Sequence, residues 1–252
     1  MTHLETGACA GLLTFVFGYG GMWLQKLLPE AHMTSGARDM IGAVMSLIAL
    51  FLALVLGTLV GSAYGFYATQ KGNVEDMAAD AIQVDMGLTA FGAGGQPMRL
   101  GVRGAIEQSY KAIWVDRRIP LAADISGLAK TFEKLNADIA GLTADTPDQK
   151  AALPVLQASL HAFEKTRLRI ALQMTSPISW PLIIVVVSWA VLLFAGYGAL
   201  AQLNTTAVIA TLIGAFTVGS AVFLILELNH PFTGIFRIPV SAIKQTLEAL
   251  GG

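Results

Sequence analysis

Charge is what this chain of 252 residues has least of. Only 13% of its residues are charged, about half the ~25% of an ordinary soluble domain. The shortage is uneven. No Asp, Glu, Lys or Arg falls between Glu5 and Lys26, between Asp39 and Lys71, or between Arg169 and Glu227. The last interval runs for 57 residues, where a bilayer-spanning helix needs about 20. With 54% hydrophobic residues and a mean hydropathy of +0.62, a soluble enzyme and a disordered chain are both excluded. The sequence is that of an integral membrane protein.

Other absences narrow its function. Cys9 is the one cysteine, so no intramolecular disulfide forms; in its apolar stretch it is expected to act as a small buried hydrophobe. A net charge of −1 leaves no basic footprint for nucleic acid. Met1 to Thr6 contains no Lys or Arg, so the first apolar segment reads as a retained span rather than a secretory signal. His3, His32, His161 and His230 are scattered, with no metal-ligand spacing, and no nucleophile motif occurs. Gly92 to Gly95 follows a helix and precedes a proline, unlike a phosphate-binding loop. No enzyme activity, metal or cofactor is expected. The missing intramembrane charge also argues against a proton-coupled pump, whose relay needs ionisable groups.

What is present is four apolar segments, at about 7–24, 40–67, 180–201 and 206–227. Trp180 and Pro181 suit an interfacial helix start. Residues 71–169 between the hairpins hold 24 of the 33 charges and repeat apolar residues at helical spacing. Met77, Ala81, Val84, Leu88 and Phe91 form one stripe; Ile106, Tyr110 and Ile113 suggest a second, ending near Ile119 and Pro120. Leu121, Ile125, Leu128, Phe132, Leu135, Ile139 and Leu142 give three heptads. Thr146-Pro147-Asp148 starts a further helix, carrying Leu153, Leu156, Leu160, Phe163, Ile170 and Met174, with Arg167 where an apolar residue is expected. Beyond the last span, Pro239, Ile243, Leu247 and Leu250 form an amphipathic stripe.

The expected fold is therefore all-α: four transmembrane helices in two hairpins with a cytoplasmic helical bundle between them. Its parts are a first hairpin at 1–70, the bundle at 71–176, a second hairpin at 177–228 and a tail at 229–252. Six Lys/Arg near span ends (Lys71, Lys165, Arg167, Arg169, Arg237, Lys244) face two opposite (Lys26, Arg38), which places bundle and termini in the cytoplasm of a cell whose inner membrane holds the spans.

Gly57, Gly61 and Gly65 share one face of the second span, a repeat that lets helices approach closely; Gly7/Gly11 and Ala215/Gly219 are weaker versions. Packing within one subunit is the expected use of the glycine face. Leu52, Val55, Leu59 and Phe66 on the opposite face are pore-lining candidates, able to gate by dewetting. At the end of the fourth span stands Glu227-Leu228-Asn229-His230-Pro231-Phe232-Thr233-Gly234. Asn-His-Pro stops the helix, and Glu227 at the membrane edge needs a partner or water, with Arg237 and the Lys165–Arg169 cluster on the same side.

This segment and the two-spans, bundle, two-spans layout resemble an uncharacterised bacterial bestrophin-like family, which has an Asp-x-Asp-x-Pro-Phe-x-Gly type motif after its last span. Asp85, Leu88, Phe91, Gly92, Arg99 and Trp114 are similar to that family's central pattern. The resemblance implies a homo-oligomer, pentameric as in true bestrophins, in a lipid bilayer. It also implies a channel for chloride or another small anion, lined by the second span. The acidic run of calcium-gated members is missing: Thr233-Gly234-Ile235-Phe236-Arg237 stands there. The alternative is a non-conducting scaffold or signalling partner using helix 121–142.

Overall fold

A computed structural model of the chain describes residues 3–27, 34–115, 122–174 and 180–250, without the side chains of 112, 113, 122–129 and 174. Leu121 of the expected stripes, with Ile119, Pro120 and His32, lies outside what is described, as do the side chains of Ile113, Ile125, Leu128 and Met174. Most of the described residues are helical, and no strand occurs among them. Eight α-helices follow in order: α1 His3–Leu27, α2 Ser35–Thr89, α3 Gln96–Tyr110, α4 Ala122–Ala140, α5 Pro147–Met174, α6 Trp180–Leu200, α7 Thr205–Leu228 and α8 Ser241–Ala249. Four of them (α1, α2, α6, α7) are long and apolar enough to cross a bilayer.

Local chemistry sets the helix ends. Asn204 caps α7, its side chain accepting from the Ala207 N–H at 2.7 Å. At α5 the Thr146 hydroxyl accepts from the Gln149 N–H while the Gln149 side-chain carbonyl accepts from the Thr146 N–H, a reciprocal box. The turn between α2 and α3 needs glycine twice. Gly92 has φ +52°, and a Cβ on Gly95 would run into the Leu88 carbonyl.

The chain forms two compact units, Met1–Phe66 with Ile178–Asn229, and Tyr67–Pro177 with His230–Gly252. In the first, α1 packs along α6 and α7 through Gly7, Ala10, Thr14, Gly18 and Gly21, spaced three or four apart so that they share one face. The backbones nearly touch. A Cβ on Gly21 would strike the Ala195 carbonyl, and one on Gly198 the Gly18 carbonyl. The expected weaker glycine pairs meet each other here: Gly11 faces Ala215, and Gly7 faces Gly219. Leu52 of α2 joins Val186, Ala190, Leu193 and Val218 in an apolar cluster, with Val55 and Leu59 against it.

The second unit is held by large side chains. Val74, Met77, Ala81, Val84 and Leu88 of α2, Val102 and Ile106 of α3, Phe132, Leu135 and Ile139 of α4, and Leu156, Leu160, Phe163 and Ile170 of α5 make one core. Each fully buried side chain of this size contributes about 1.5–3 kcal/mol relative to exposure. Helix α8 completes that core through Ile243, so the amphipathic tail packs on the bundle.

The largest departure from expectation is α2. Sequence reading divides it near residue 71 into a span and a bundle helix, yet it is one helix of 55 residues, about 80 Å long at 1.5 Å per residue. No proline interrupts Lys71 to Glu75, and the helix runs on through Gly72 and through Asn73, whose side chain bonds to Gln173 rather than capping a helix end. The change from apolar to charged composition thus marks a change of surroundings and not of backbone.

Candidate functional site

Helix α2 presents different faces along its length. In its most apolar stretch only 6% of the residues are buried, against 28–33% in the corresponding stretches of α1, α6 and α7. Gly57, Gly61 and Gly65 lie on the open side; a Cβ built on any of them meets nothing within 4 Å. They do not pack within the chain as the sequence suggested, because the opposite, bulkier face supplies the contact with α6. The pore-lining candidates lie on that packed side. Leu52 is buried, Val55 and Leu59 are partly buried against its cluster, and Phe66 is half-buried. Ser46 Oγ, lower on the helix, stands 3.2 Å from the Tyr197 hydroxyl of α6.

The same face continues past the span through Ala68, Glu75, Asp76, Ala79 and Gln83, all exposed, with Gly72 partly buried between the first two. Lys71 lies 3.7 Å from Glu75. Asp80, at the stripe's edge, has its pKa raised by partial burial and then by the neighbouring Asp76. On its other side α2 offers buried Asp85, which Arg99 of α3 grips with two hydrogen bonds, Nε at 2.6 Å and Nη2 at 2.9 Å. That bidentate geometry fixes α3 against the end of α2.

The motif after the fourth span divides between the units. Glu227 is 3% exposed, and its Oε2 lies 3.1 Å from His3 Nδ1 at the start of α1. The Nδ1 tautomer or the imidazolium donates to it. His3 precedes Gly7, Ala10 and Thr14 on the same face of α1, and this spacing was the available signal for a partner the sequence reading did not name. Asn229 closes α7, its side-chain amide donating to the Ile225 carbonyl at 2.7 Å. In the second unit Pro231 and Phe232 are buried while His230 and Gly234 are exposed. Phe232 meets the Trp114 ring edge-on at 5.6 Å. The Trp114 indole N–H donates to the Ile238 carbonyl at 3.3 Å, and the Ile238 N–H to the Pro231 carbonyl at 2.7 Å. A π-helical turn, Lys111–Val115, carries Trp114; such a turn inserts one residue into a helix and re-aims its side chains. Pro231-Phe232 is thus an anchor for the strap that leads to α8.

The bundle also buries polar groups. Gln70 and Asn73 of α2 both donate to the Gln173 side-chain carbonyl, and Arg167 of α5 sits over the Phe132 ring, 5.3 Å from its centroid. Among the described residues no three His, Cys, Asp or Glu gather as metal ligands would.

The sequence model of the Bestrophin-like domain family matches residues 12–243 of the chain. No curated protein matches it in sequence. Among solved structures it is similar to a bacterial bestrophin homologue from Klebsiella pneumoniae phased with zinc. That likeness has a TM-score of 0.70 at 12% identity and covers 96% of each chain. Two point variants of the Klebsiella pneumoniae homologue give TM-scores of 0.71 and 0.69 at 12% and 14% identity, over 96% of this chain and 96% and 97% of theirs. These likenesses are ones of fold.

Proposed function

The chain belongs to the Bestrophin-like family, and from that premise we propose that copies of it assemble around the open face of α2 into an ion channel. The carrying observation is the contrast within the membrane-spanning set: three helices cover one another, while on α2 a Cβ added at Gly57 or Gly61 would meet no described atom within 4 Å. Apolar tails give helices little hydrophobic reason to associate, so small-residue faces are where helices meet or where a conduit runs. The lining then falls to Gly57, Gly61 and Gly65. Leu52, Val55 and Leu59 act from behind, bracing α2 on α6. A pentamer in the inner membrane, with bundle and termini cytoplasmic, is the assembly that family resemblance and the Lys/Arg bias support.

The resemblance favours chloride or another small anion. One observation favours cations: the same stripe carries Glu75 and Asp76 beyond the span, and rings of carboxylates attract cations. Chloride and sodium flux from liposomes holding the purified protein separates the two. Flux above the empty-liposome level is expected, and Gly61→Trp should lower it at least tenfold by filling the lining. Flux at the empty level at every pH and calcium concentration overturns the channel and leaves the scaffold.

A further inference from the structure

Arg167 stands where the apolar stripe of α5 calls for a hydrophobe, between Phe163 and Ile170. Its side chain is 5% exposed, and its Nη1 is sealed from solvent with no hydrogen-bond acceptor among the described residues. Phe132 lies under the guanidinium, and Phe163 packs against Phe132 with ring centroids 5.3 Å apart. Among the described residues no carboxylate forms an ion pair with Arg167; Asp85 holds Arg99, Glu107 faces Arg103, and Glu164 lies 4.0 Å from His161. Burial lowers the Arg167 pKa to about 10, so the group is still a cation at neutral pH.

We propose that Arg167 anchors an internal site for a small inorganic anion, of halide or nitrate size, inside the helical bundle. A buried charge is paired or it is expensive, and the Phe132 face offsets only part of that cost. The orphaned N–H needs an acceptor; a water would satisfy the donor but not the charge. The sealing of Nη1 selects among anions. A carboxylate on a second copy or a phosphate on a lipid brings its whole carrier, whereas a free monatomic or small planar anion enters when the bundle breathes. A guanidinium is weakly hydrated and its surroundings here are aromatic, so bromide and nitrate should bind better than sulfate. The site belongs to the bundle and does not depend on conduction.

The test uses the full chain in mild detergent, melted in sodium gluconate and again with bromide or nitrate replacing gluconate at constant ionic strength. The wild type should gain a saturable ~2–4 °C. Arg167→Met should be insensitive to the exchange, and Arg167→Lys should keep a reduced response. Should Arg167→Met fail to fold, the lysine variant and an anomalous difference map from bromide-soaked crystals decide, with a bromide peak expected beside the guanidinium. A wild type blind to bromide, a bromide gain undiminished in either variant, or a map without that peak overturns the proposal.

Discussion

The two halves of α2 carry the same backbone into two different kinds of packing. Up to about Phe66, its buried positions are Leu52 and Ala63. From Gln70 onward it buries Asn73, Val74, Met77, Ala78, Ala81, Val84 and Leu88. Around it the chemistry of contact differs as well. In the first unit, α1, α6 and α7 meet backbone to backbone through glycine and alanine; in the second, Phe132, Phe163, Leu156 and Ile106 interlock. The difference follows from solvent. In water, large apolar side chains drive association because their burial is favourable. Among lipid tails that drive vanishes and close fit takes its place. A face without a fit, such as the glycine stripe of α2, is then a site that something else must complete.

Substitutions can sharpen or break this contrast. The largest effect is expected in the bundle: Phe163→Ala should cost about 3–5 kcal/mol, read as a drop in the melting temperature. Next comes Gly198→Ala. It adds one methyl against the Gly18 carbonyl and should cost about 1–3 kcal/mol. Its counterpart Gly61→Ala adds the same methyl to open space and should stay within about 1 kcal/mol of wild type, on the stabilising side, from helix propensity. Equal losses at Gly198 and Gly61 would erase the distinction between packed and open glycines.

The smallest effect concerns Asp80. Its pKa is raised, first by partial burial and then by Asp76, so the folded chain binds the proton more tightly than the unfolded one. The stability this proton binding lends is present in acid and lost as pH rises through the raised pKa. Asp80→Asn should therefore stabilise slightly at neutral pH, with the gain fading as pH falls. Paired melts at neutral and acid pH check the sign, and a gain that grows in acid contradicts it.

Much of this was legible in the sequence because charge and periodicity are local properties. The gaps in charge marked the four apolar segments, and the stripe Met77, Ala81, Val84, Leu88 marked a buried bundle face. The unbroken passage of α2 was hidden, since a change of composition is easily taken for a change of element. Which side of α2 is covered was also hidden. Glycines and leucines on opposite faces can each pack, and only the position of α6 decides between them. The Glu227 partner lay 224 residues away at His3, a separation that no periodicity reports. By contrast, Arg167 announced itself as a charge on an apolar stripe.

An unbroken α2 also constrains how the gene can change length. A loop between span and bundle would absorb an extra residue. Here, one codon inserted between Phe66 and Gln70 would turn everything downstream by about 100° about the helix axis. Glu75 and Asp76 would leave the stripe begun by Gly57. Additions of seven or eleven residues nearly restore the phase, at the expense of lengthening the rod by about 10 or 16 Å. Lengths among relatives should therefore vary at the turns that end α2 and scarcely ever inside it.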